Sequence, residues 1–430
     1  MQHSFSDVGR FRRDFLHFVQ AKSRQAETPF TRLRLGLTPV WLITQPEAIK
    51  DVLKASEEQI DKGRLIQKLK VIVGNTMLVL SGAEHRRRRE SLHGLLAKGG
   101  ALRFTPEICA LIRRQAARTA YLGEEVNAHS LSARLALRII CLVLFGGNVL
   151  KDSDEAALVH AVSLCEDDIA AEVFRVWPQL PWHRRQALNR RRQALEMMGV
   201  VVDRVVARAR DGSAVRALAA LGISKSDLRD EVLTMLLAGY TTTSNAAAWV
   251  LYHLATVPGL ADKVRSEAIR HSDASGELKP SELARCDASL DLVRETLRLY
   301  PSSHWFSRDV KSPIEICGQK LGKGDVLLIS PWQFHRDPRF WEAPDEFRLG
   351  RDFGSRAFIP FGAGPRACLG MGVAMLELQL LALEFASAFE IEVTSEIPAG
   401  RPRPSITLVP PEINLRLRVR DPGSEAGIAA

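Results

Sequence analysis

One cysteine of this chain lies in a segment whose composition favours a metal-bound thiolate. Cys368 belongs to the sequence FGAGPRACLG, residues 361–370, which contains three glycines. Glycine permits a tight turn and a close approach of the backbone to a flat ligand. Backbone N–H groups at the start of a following helix favour negative charge on the sulfur, and Arg366 could pair with a carboxylate of the same ligand. The alternative interpretation is a buried, inert cysteine on a glycine-rich turn.

A second set of polar groups lies in the middle of a long apolar segment. Residues 232–261 contain no Asp, Glu, Lys or Arg, and residues 240–245 all carry a hydroxyl or amide group. Six consecutive polar residues at the centre of a membrane would be costly. We therefore predict a helix buried inside a soluble protein rather than a membrane span.

The composition of the chain is that of a globular protein. Its 430 residues are 46% hydrophobic and 25% charged, with a formal net charge of +9, which excludes disordered, collagenous and coiled-coil classes. The six cysteines are scattered without a C-x-x-C pair, so neither a disulfide framework nor a Cys-rich zinc site is expected. No nucleic-acid motif accounts for the positive charge.

The N-terminal segment has no continuous apolar region, so we predict no secretory signal and a cytoplasmic protein. Phe11, Phe15 and Phe18 recur at helical spacing beside several arginines. A helix lying on a membrane surface is one interpretation. The favoured one is a helix that packs on its own protein.

Hydrophobic periodicity and turn residues predict a mainly α (α+β) protein with small sheets. Because no linker divides the chain, we expect a single domain over residues 1–420 and a flexible C-terminal tail over 421–430. We expect Ser226 or Asp227 to cap the long helix that Pro258 ends. The remaining predicted elements are two strands in 31–44, a helix over 46–54, mostly helix from 85 to 257, a helix over 290–299, strands in 310–330, an irregular segment 336–353, a helix over 369–389 and a terminal strand pair in 403–419.

The pattern F-x-x-G-x-R-x-C-x-G at residues 361–370 resembles the haem-binding loop of the cytochrome P-450 family. The resemblance implies the cytochrome P-450 fold and haem b (iron protoporphyrin IX), with Cys368 as the thiolate ligand of the iron. It assigns further cofactor contacts within the loop to Phe361, Gly362, Arg366 and Gly370.

Two other motifs follow in the order that the family has. Glu295 and Arg298 match its Glu-x-x-Arg helix, and Arg351 stands where an arginine completes a buried trio. Leu349 departs from the proline usual two positions before Arg351. Taken alone, Glu295 and Arg298 would be interpreted as a common surface ion pair.

The resemblance also assigns donors to the anionic haem propionates. His85 and Arg89 match the family's His-x-x-x-Arg, Arg308 matches its arginine on a later strand, and Arg366 is the third anchor. We expect His85 and Arg89 to turn inward while some of the arginines at 86–88 remain exposed.

The buried helix resembles the oxygen side of the family's site, with one departure. Ala238 and Gly239 would leave room for O₂, and Thr242 matches the alcohol that hydrogen-bonds to oxygen and steadies a proton-relaying water. Thr241 replaces the usual acid, so protons would have to pass along threonine hydroxyls and water. The alternative is that these threonines bond back to carbonyls four residues earlier and have no catalytic role.

The resemblance implies a haem-thiolate monooxygenase that inserts one oxygen atom from O₂ into an apolar small molecule, such as a terpenoid, fatty acid or polyketide of secondary metabolism. Electrons would come from a separate ferredoxin or flavodoxin with its reductase, steered by basic residues at 86–88 and 184–192; the second group fits a solvated helix surface equally well. We expect a monomer without an integral membrane anchor. The expected pocket residues are Leu237, Trp305, Phe306 and Ile406, with Trp177 and Trp182 at the entrance.

Two rival functions remain at this point. The missing acid at Thr241 is compatible with a peroxide-driven enzyme, or with an oxidase that couples or desaturates its substrate. The second rival is a non-catalytic protein that binds haem or an apolar ligand, in which Thr242 is structural.

Overall fold

Helices dominate the computed structural model, which describes residues 6–159, 181–395 and 401–420. This agrees with the predicted mainly α class. The predicted tail 421–430 lies outside the described residues. The α-helices with defined bounds are α1 Val8–Arg13, α2 Phe15–Arg24, α3 Pro46–Lys54, α4 Gly63–Val73, α5 Gly82–Leu96, α6 Lys98–Ala101, α7 Thr105–Leu122, α8 Ala128–Phe145, α9 Pro181–Ala207, α10 Ala214–Ala219, α11 Lys225–Thr256, α12 Leu260–Arg270, α13 Asp287–Leu299, α14 Pro331–Phe334 and α15 Met371–Ala388.

Short strands form small sheets beside these helices. The strands are β1 Phe30–Leu33, β2 Val40–Ile43, β3 Ile60–Asp61, β4 Val126–Asn127, β5 Phe306–Val310, β6 Ile314–Ile316, β7 Gln319–Leu321, β8 Val326–Ile329, β9 Phe389–Val393, β10 Arg403–Pro404, β11 Leu408–Val409 and β12 Asn414–Val419. The largest sheet has the order β1-β2-β8-β5-β3, with β2 and β8 parallel and its other pairs antiparallel. Its first two strands are the predicted hairpin, with Phe30 opposite Ile43.

The C-terminal strands pair differently from the prediction. Residues 403–419 do not form one strand pair, because β10 pairs with β11 whereas β12 pairs with β9 and β4. Leu415 and Leu417 alternate along β12 and are buried. They gain this burial by pairing across to the strand that follows α15, a long-range choice that local turn residues do not reveal.

The long helix α11 runs through the main core. Its N-cap is Ser224, whose hydroxyl accepts a hydrogen bond from the Asp227 N–H, so the predicted caps Ser226 and Asp227 were wrong by two or three residues. The helix ends at Thr256, before Pro258, as predicted. Its buried residues, among them Trp249, pack with α8 and α15 into the largest apolar cluster.

Close packing of α8 against α11 depends on one glycine. A Cβ on Gly239 would lie only 2.8 Å from Ile140 Cγ1, so any larger residue would require the Ile140 side chain or the two helices to shift. Among the helices in the described part of the chain, α8 and α15 are long and apolar enough to cross a membrane by length and composition alone. Both are mostly buried inside the fold, 78% and 67% respectively, which is typical of core helices.

The N-terminal helices pack on the protein itself. The Phe11 ring contacts the rings of Phe15 and Phe18 edge to face. Phe15 and Phe18 are buried in a cluster with Leu328 and Trp332. The favoured interpretation of this segment, a helix that packs on its own chain, is therefore confirmed.

Candidate functional site

The loop that carries Cys368 is closed by backbone hydrogen bonds. The Cys368 N–H donates to the Phe361 carbonyl at 2.9 Å, and the Gly362 N–H donates to the Ile359 carbonyl at 3.1 Å. Gly364 has a φ of +71°, and a Cβ there would lie 2.7 Å from the Leu53 carbonyl oxygen. Glycine is therefore required at this position by conformation and by contact with α3. Together these bonds set where the cysteine lies, just before α15.

The surroundings of the Cys368 thiol act on its pKa in opposite directions. Its side chain is accessible, yet protein surrounds it, and burial raises the thiol pKa. The Gly370 N–H and the positive charge of Arg89 act in the opposite direction and lower this pKa. The surroundings therefore favour a thiolate only once a further positive charge, such as a metal ion, is added.

The middle of α11 opens onto an accessible space although the helix around it is buried. Ala238 is exposed and Thr242 is half-buried, whereas Tyr240 and Thr243 are buried. The Thr242 hydroxyl donates to the Ala238 carbonyl at 2.7 Å, and the Thr241 hydroxyl donates to the Leu237 carbonyl at 3.2 Å. Both threonine hydroxyls thus donate to carbonyls of their own helix, while the oxygen of each hydroxyl can still accept a hydrogen bond from another group.

Five basic side chains meet close to this loop. We name them the inner basic cluster: Lys62, His85, Arg89, Arg308 and Arg366. Burial, with repulsion from Arg366 and Lys62, lowers the pKa of His85 to about 4. Burial, with repulsion from Arg366 and Arg308, lowers the pKa of Lys62 to about 7. Burial and Arg366 likewise lower the pKa of Arg308 to about 10.

The inner basic cluster has few anionic partners. Arg366 Nη2 donates to Glu57 Oε1 at 2.6 Å, and Glu57 is the one carboxylate in the described part of the chain that forms an ion pair with the cluster. Arg308 bonds the adjacent Ser307 carbonyl at 2.8 Å. The guanidinium of Arg89 forms no hydrogen bond or ion pair with another described residue, and burial lowers its pKa.

This arrangement fits haem. Several basic groups crowded beside one carboxylate require further negative charge, which the two propionates of haem would supply. A thiol whose pKa burial raises lies next to Arg89, whose positive charge lowers that pKa, and Ala238 of α11 is exposed. The residues present thus match the charge and ligand requirements of the group.

Lys62 is a member of the cluster that the sequence analysis missed. Its ammonium group donates to the Met77 carbonyl at 2.9 Å and also to the Leu78 carbonyl. Lys62 follows β3, which pairs with β5 so that Asp61 lies opposite Asp309, next to Arg308. No local signal distinguishes this lysine, because only the pairing of two distant strands brings it to the site.

The structure brings Glu295, Arg298 and Arg351 together. Arg298 binds Glu295 through two bonds of 2.7 Å, and both side chains are fully buried. Arg351 Nε donates to Glu295 Oε1 at 2.9 Å. Arg298 also donates to the carbonyls of His335, Pro344 and Glu346. The trio therefore connects α13 to the irregular segment that precedes the cysteine loop.

His335 is a second residue that the sequence analysis missed. Its Nε2 accepts from the Ile359 N–H at 2.9 Å, so its Nδ1 carries the proton and donates to the Arg298 carbonyl at 3.1 Å. Burial lowers the pKa of His335 to about 3, which keeps the ring neutral. This ring links the end of α13 to the start of the cysteine loop.

The arginine run on α5 is divided between surface and interior. Arg86 and Arg87 are exposed, in agreement with the prediction that some members stay outside. Arg88, in contrast, is buried and binds Glu231 of α11 at 2.9 Å. Arg87 donates two hydrogen bonds to the Glu84 carboxylate, which offsets the positive charge of Arg87.

The predicted pocket residues occupy different surroundings. Leu237 and Ile406 are half-buried beside the main apolar cluster. Phe306 lies under the Arg308 guanidinium at 5.2 Å, whereas Trp305 packs on Phe15 of α2, 6.3 Å between ring centres. Trp177, the side chain of Trp182 and most of the arginines of 184–192 lie outside the described residues.

Comparisons with known proteins agree on one family. The family model described as Cytochrome P450 matches residues 5–417. Cyclooctatin synthase of Streptomyces melanosporofaciens is 27% identical over 90% of this chain and 88% of its own length. Human Cytochrome P450 4V2 is 27% identical over 84% of this chain and 77% of its own. The crystal structure of CYP175A1 from a Thermus strain covers 97% of this chain and 98% of its own, with a TM-score of 0.79 at 22% identity.

Proposed function

The chain belongs to the cytochrome P450 family, whose members are haem-thiolate oxidoreductases, and we propose that Cys368 is its iron ligand and Thr242 its oxygen-side hydroxyl. The observation that carries this proposal is the Cys368 thiol, held before α15 with the Gly370 N–H and Arg89 beside it. We further propose one domain over residues 1–420, a cytoplasmic location and a monomeric state. The apolar cluster that includes both Val73 and Leu417 supports the single domain.

When bound, haem b would supply the iron and the oxidising power that activates O₂. We propose that Arg89, Arg308 and Arg366 hold its propionates together with His85, and that Lys62 contributes a fifth donor. The loop residues Phe361, Gly362 and Gly370 would border the ring, as would Ala238 on the opposite side. Gly239 would leave room beside the ring as well, and its missing side chain also accommodates Ile140.

Thr242 would hold a water or proton donor through the free lone pairs of its hydroxyl oxygen. Its own hydrogen points to the Ala238 carbonyl at 2.7 Å, so the hydroxyl can donate into the pocket only after rotation about the Cβ–Oγ bond breaks that hydrogen bond. Thr241 places no carboxylate there and bonds Leu237 instead. Proton delivery would therefore depend on hydroxyls and water, and we expect it to be slow.

The proposed substrate is an apolar small molecule. Leu237, Phe306 and Ile406 are apolar side chains on elements that we expect to border the pocket, and the exposed Ala238 adds a further apolar surface. The name of the bacterial relative, cyclooctatin synthase, supports a biosynthetic role, and we propose that this role belongs to secondary metabolism. Trp305 is a weaker candidate because its ring packs on α2.

The proposed electron donor is a separate ferredoxin or flavodoxin with its reductase. Exposed Arg86 offers a positive charge on α5, the helix that carries His85 and Arg89. Arg88 cannot contribute because it is buried. The surface available to an acidic partner at 86–88 is thus smaller than the sequence predicts.

The absorption spectrum of the reduced, carbon monoxide-bound protein tests the ligand assignment. We expect a thiolate band that disappears in Cys368→Ala and Cys368→His. The matched control is Cys317→Ala, which removes an exposed thiol 3.7 Å from Asp51 and should leave the band unchanged. A band that survives Cys368→Ala, or a pigment bound through nitrogen alone in the parent protein, would contradict the proposal.

A peroxide-driven or coupling and desaturating enzyme is the second candidate. The observation in its favour is Thr241, which bonds back to Leu237 where the family has an acid. Turnover with hydrogen peroxide that equals or exceeds turnover with reduced ferredoxin would favour this candidate. The non-catalytic alternative gains support if electron consumption never responds to added apolar compounds.

A further inference from the structure

A serine outside the predicted site residues bonds directly to the backbone of Thr242. The Ser302 hydroxyl donates to the Thr242 carbonyl at 2.6 Å, and Ser302 is only 7% exposed. In an α-helix that carbonyl already accepts from the N–H four residues later, and its second lone pair accepts the serine hydroxyl. The turn of α11 that carries Thr242 is therefore held from outside the helix.

Ser302 is itself held on its other side. The Leu408 N–H donates to the Ser302 carbonyl at 2.9 Å, so Ser302 lies between α11 and β11. One helical turn after Thr242, Asn245 Nδ2 donates to Thr407 Oγ1 at 3.0 Å. The segment 405–408 is thus joined to α11 twice, once through Ser302 and once directly.

The two segments joined here carry Trp305 and Phe306 on one side and Ile406 on the other, which are residues that the sequence predicts to line the pocket. We propose that Ser302 is a positioning residue that couples these segments to Thr242. This inference rests on the proposed function, because it gives the link a role in oxygen chemistry. Ser302 acts through the Thr242 backbone and does not itself need to touch the reacting atoms.

The physical consequence is a change in how electrons are used rather than in haem binding. Without the hydroxyl, the Thr242 turn loses its external bond and moves more freely against 405–408. A misplaced Thr242 hydroxyl steadies the proton-donating water less well. A larger share of the electrons then reduces O₂ to hydrogen peroxide instead of supporting substrate oxidation. In this two-electron route, NADPH, O₂ and one proton yield NADP⁺ and hydrogen peroxide.

The experiment compares Ser302→Val with Ser302→Thr in the haem-loaded protein. The two side chains have nearly the same shape, and only threonine keeps the hydroxyl; Ser302→Ala is the smaller variant in case the larger ones do not fold. The matched control is Thr256→Ala, which removes a hydroxyl that bonds a carbonyl of α11 at an exposed site. Hydrogen–deuterium exchange of residues 239–246 is measured, together with peroxide released per NADPH, using a surrogate ferredoxin and reductase and dodecanoic acid as the probe.

We expect exchange about tenfold faster and a peroxide fraction at least twofold higher in Ser302→Val and Ser302→Ala. Parent-like values are expected in Ser302→Thr and in the control. Unchanged exchange in Ser302→Val overturns the link, and faster exchange without more peroxide overturns its coupling role. A parent protein that lacks the thiolate band defeats the proposed function instead, and the exchange measurement still decides whether Ser302 holds α11.

Discussion

Arg88 of α5 and Glu231 of α11 form a buried ion pair 2.9 Å long, which also holds the segment between α4 and α5. Arg88 Nη1 donates to the Asn75 carbonyl at 2.8 Å, and Glu231 Oε1 accepts from the Met77 N–H at 2.7 Å. One arginine and one glutamate thus connect two helices and the chain that leads into the first of them. Lys62 bonds the Met77 carbonyl of the same segment, so the ion pair also supports the inner basic cluster.

Breaking this buried ion pair should lower the free energy of unfolding more than breaking an exposed ion pair. We expect Glu231→Ala to lower the free energy of unfolding by about 3 kcal/mol, because it leaves Arg88 buried with weaker compensation. Urea unfolding of the haem-loaded protein measures the change. The control is Arg192→Ala, which removes an exposed pair with Glu196 and should change stability by less than about 1 kcal/mol. Equal effects of the two variants would contradict the structural role of the pair.

The close contact of α8 and α11 gives a second prediction. We expect Gly239→Ala to destabilise the protein by about 1 to 3 kcal/mol, because the new methyl group meets Ile140 Cγ1 at 2.8 Å. Ile140→Ala in the same chain should relieve the clash, so that the two changes are not additive. Gly94→Ala on α5, where a Cβ meets nothing within 4 Å, should be neutral or slightly stabilising. Thermal unfolding of the four variants measures these effects.

Haem retention should depend on Arg89 and not on its exposed neighbour. A hydrogen bond to a charged group contributes about 1.5 to 3 kcal/mol, so we expect Arg89→Ala to release haem at least about tenfold faster. Arg86→Ala, on the solvent side of the same helix, should leave the rate unchanged. The rate of haem transfer to an excess of an acceptor apoprotein is the measurement. Similar rates in both variants would remove Arg89 from the proposed site.

The lowered pKa of Lys62 predicts that the stability of the haem-free protein depends on pH. Its pKa is about 7 in the folded state, against an ordinary 10.5, so between these pH values the unfolded chain binds more protons than the folded one. The free energy of unfolding should therefore rise with pH above 7, with a slope of up to about 1.4 kcal/mol per pH unit from this group. Lys62→Met should flatten the slope between pH 7 and 9 in urea unfolding. A slope that the substitution leaves unchanged would show that Lys62 is not the group responsible.

Local patterns determined the parts of this protein that depend on neighbouring residues. The helix over 46–54 was predicted with the bounds that the structure has, because Pro46 starts it and its apolar spacing is regular. The hairpin of β1 and β2 follows from alternating apolar residues around a Gly-Leu-Thr-Pro turn. The cysteine loop, the Glu295 and Arg298 pair and the threonines at 241 and 242 were likewise predicted from short motifs, because the residues of each motif lie within ten positions of one another.

Tertiary structure alone decided the contacts between distant segments. Lys62 joins the inner basic cluster because β3 pairs with β5. The His335 ring links the end of α13 to the start of the cysteine loop. The Ser302 hydroxyl forms a hydrogen bond to the backbone of α11. The burial of Arg88 and the pairing of β12 with β9 have the same origin. Each depends on which faces meet once the whole core has formed, and that choice is made by burial summed over many residues, which no short window of sequence contains.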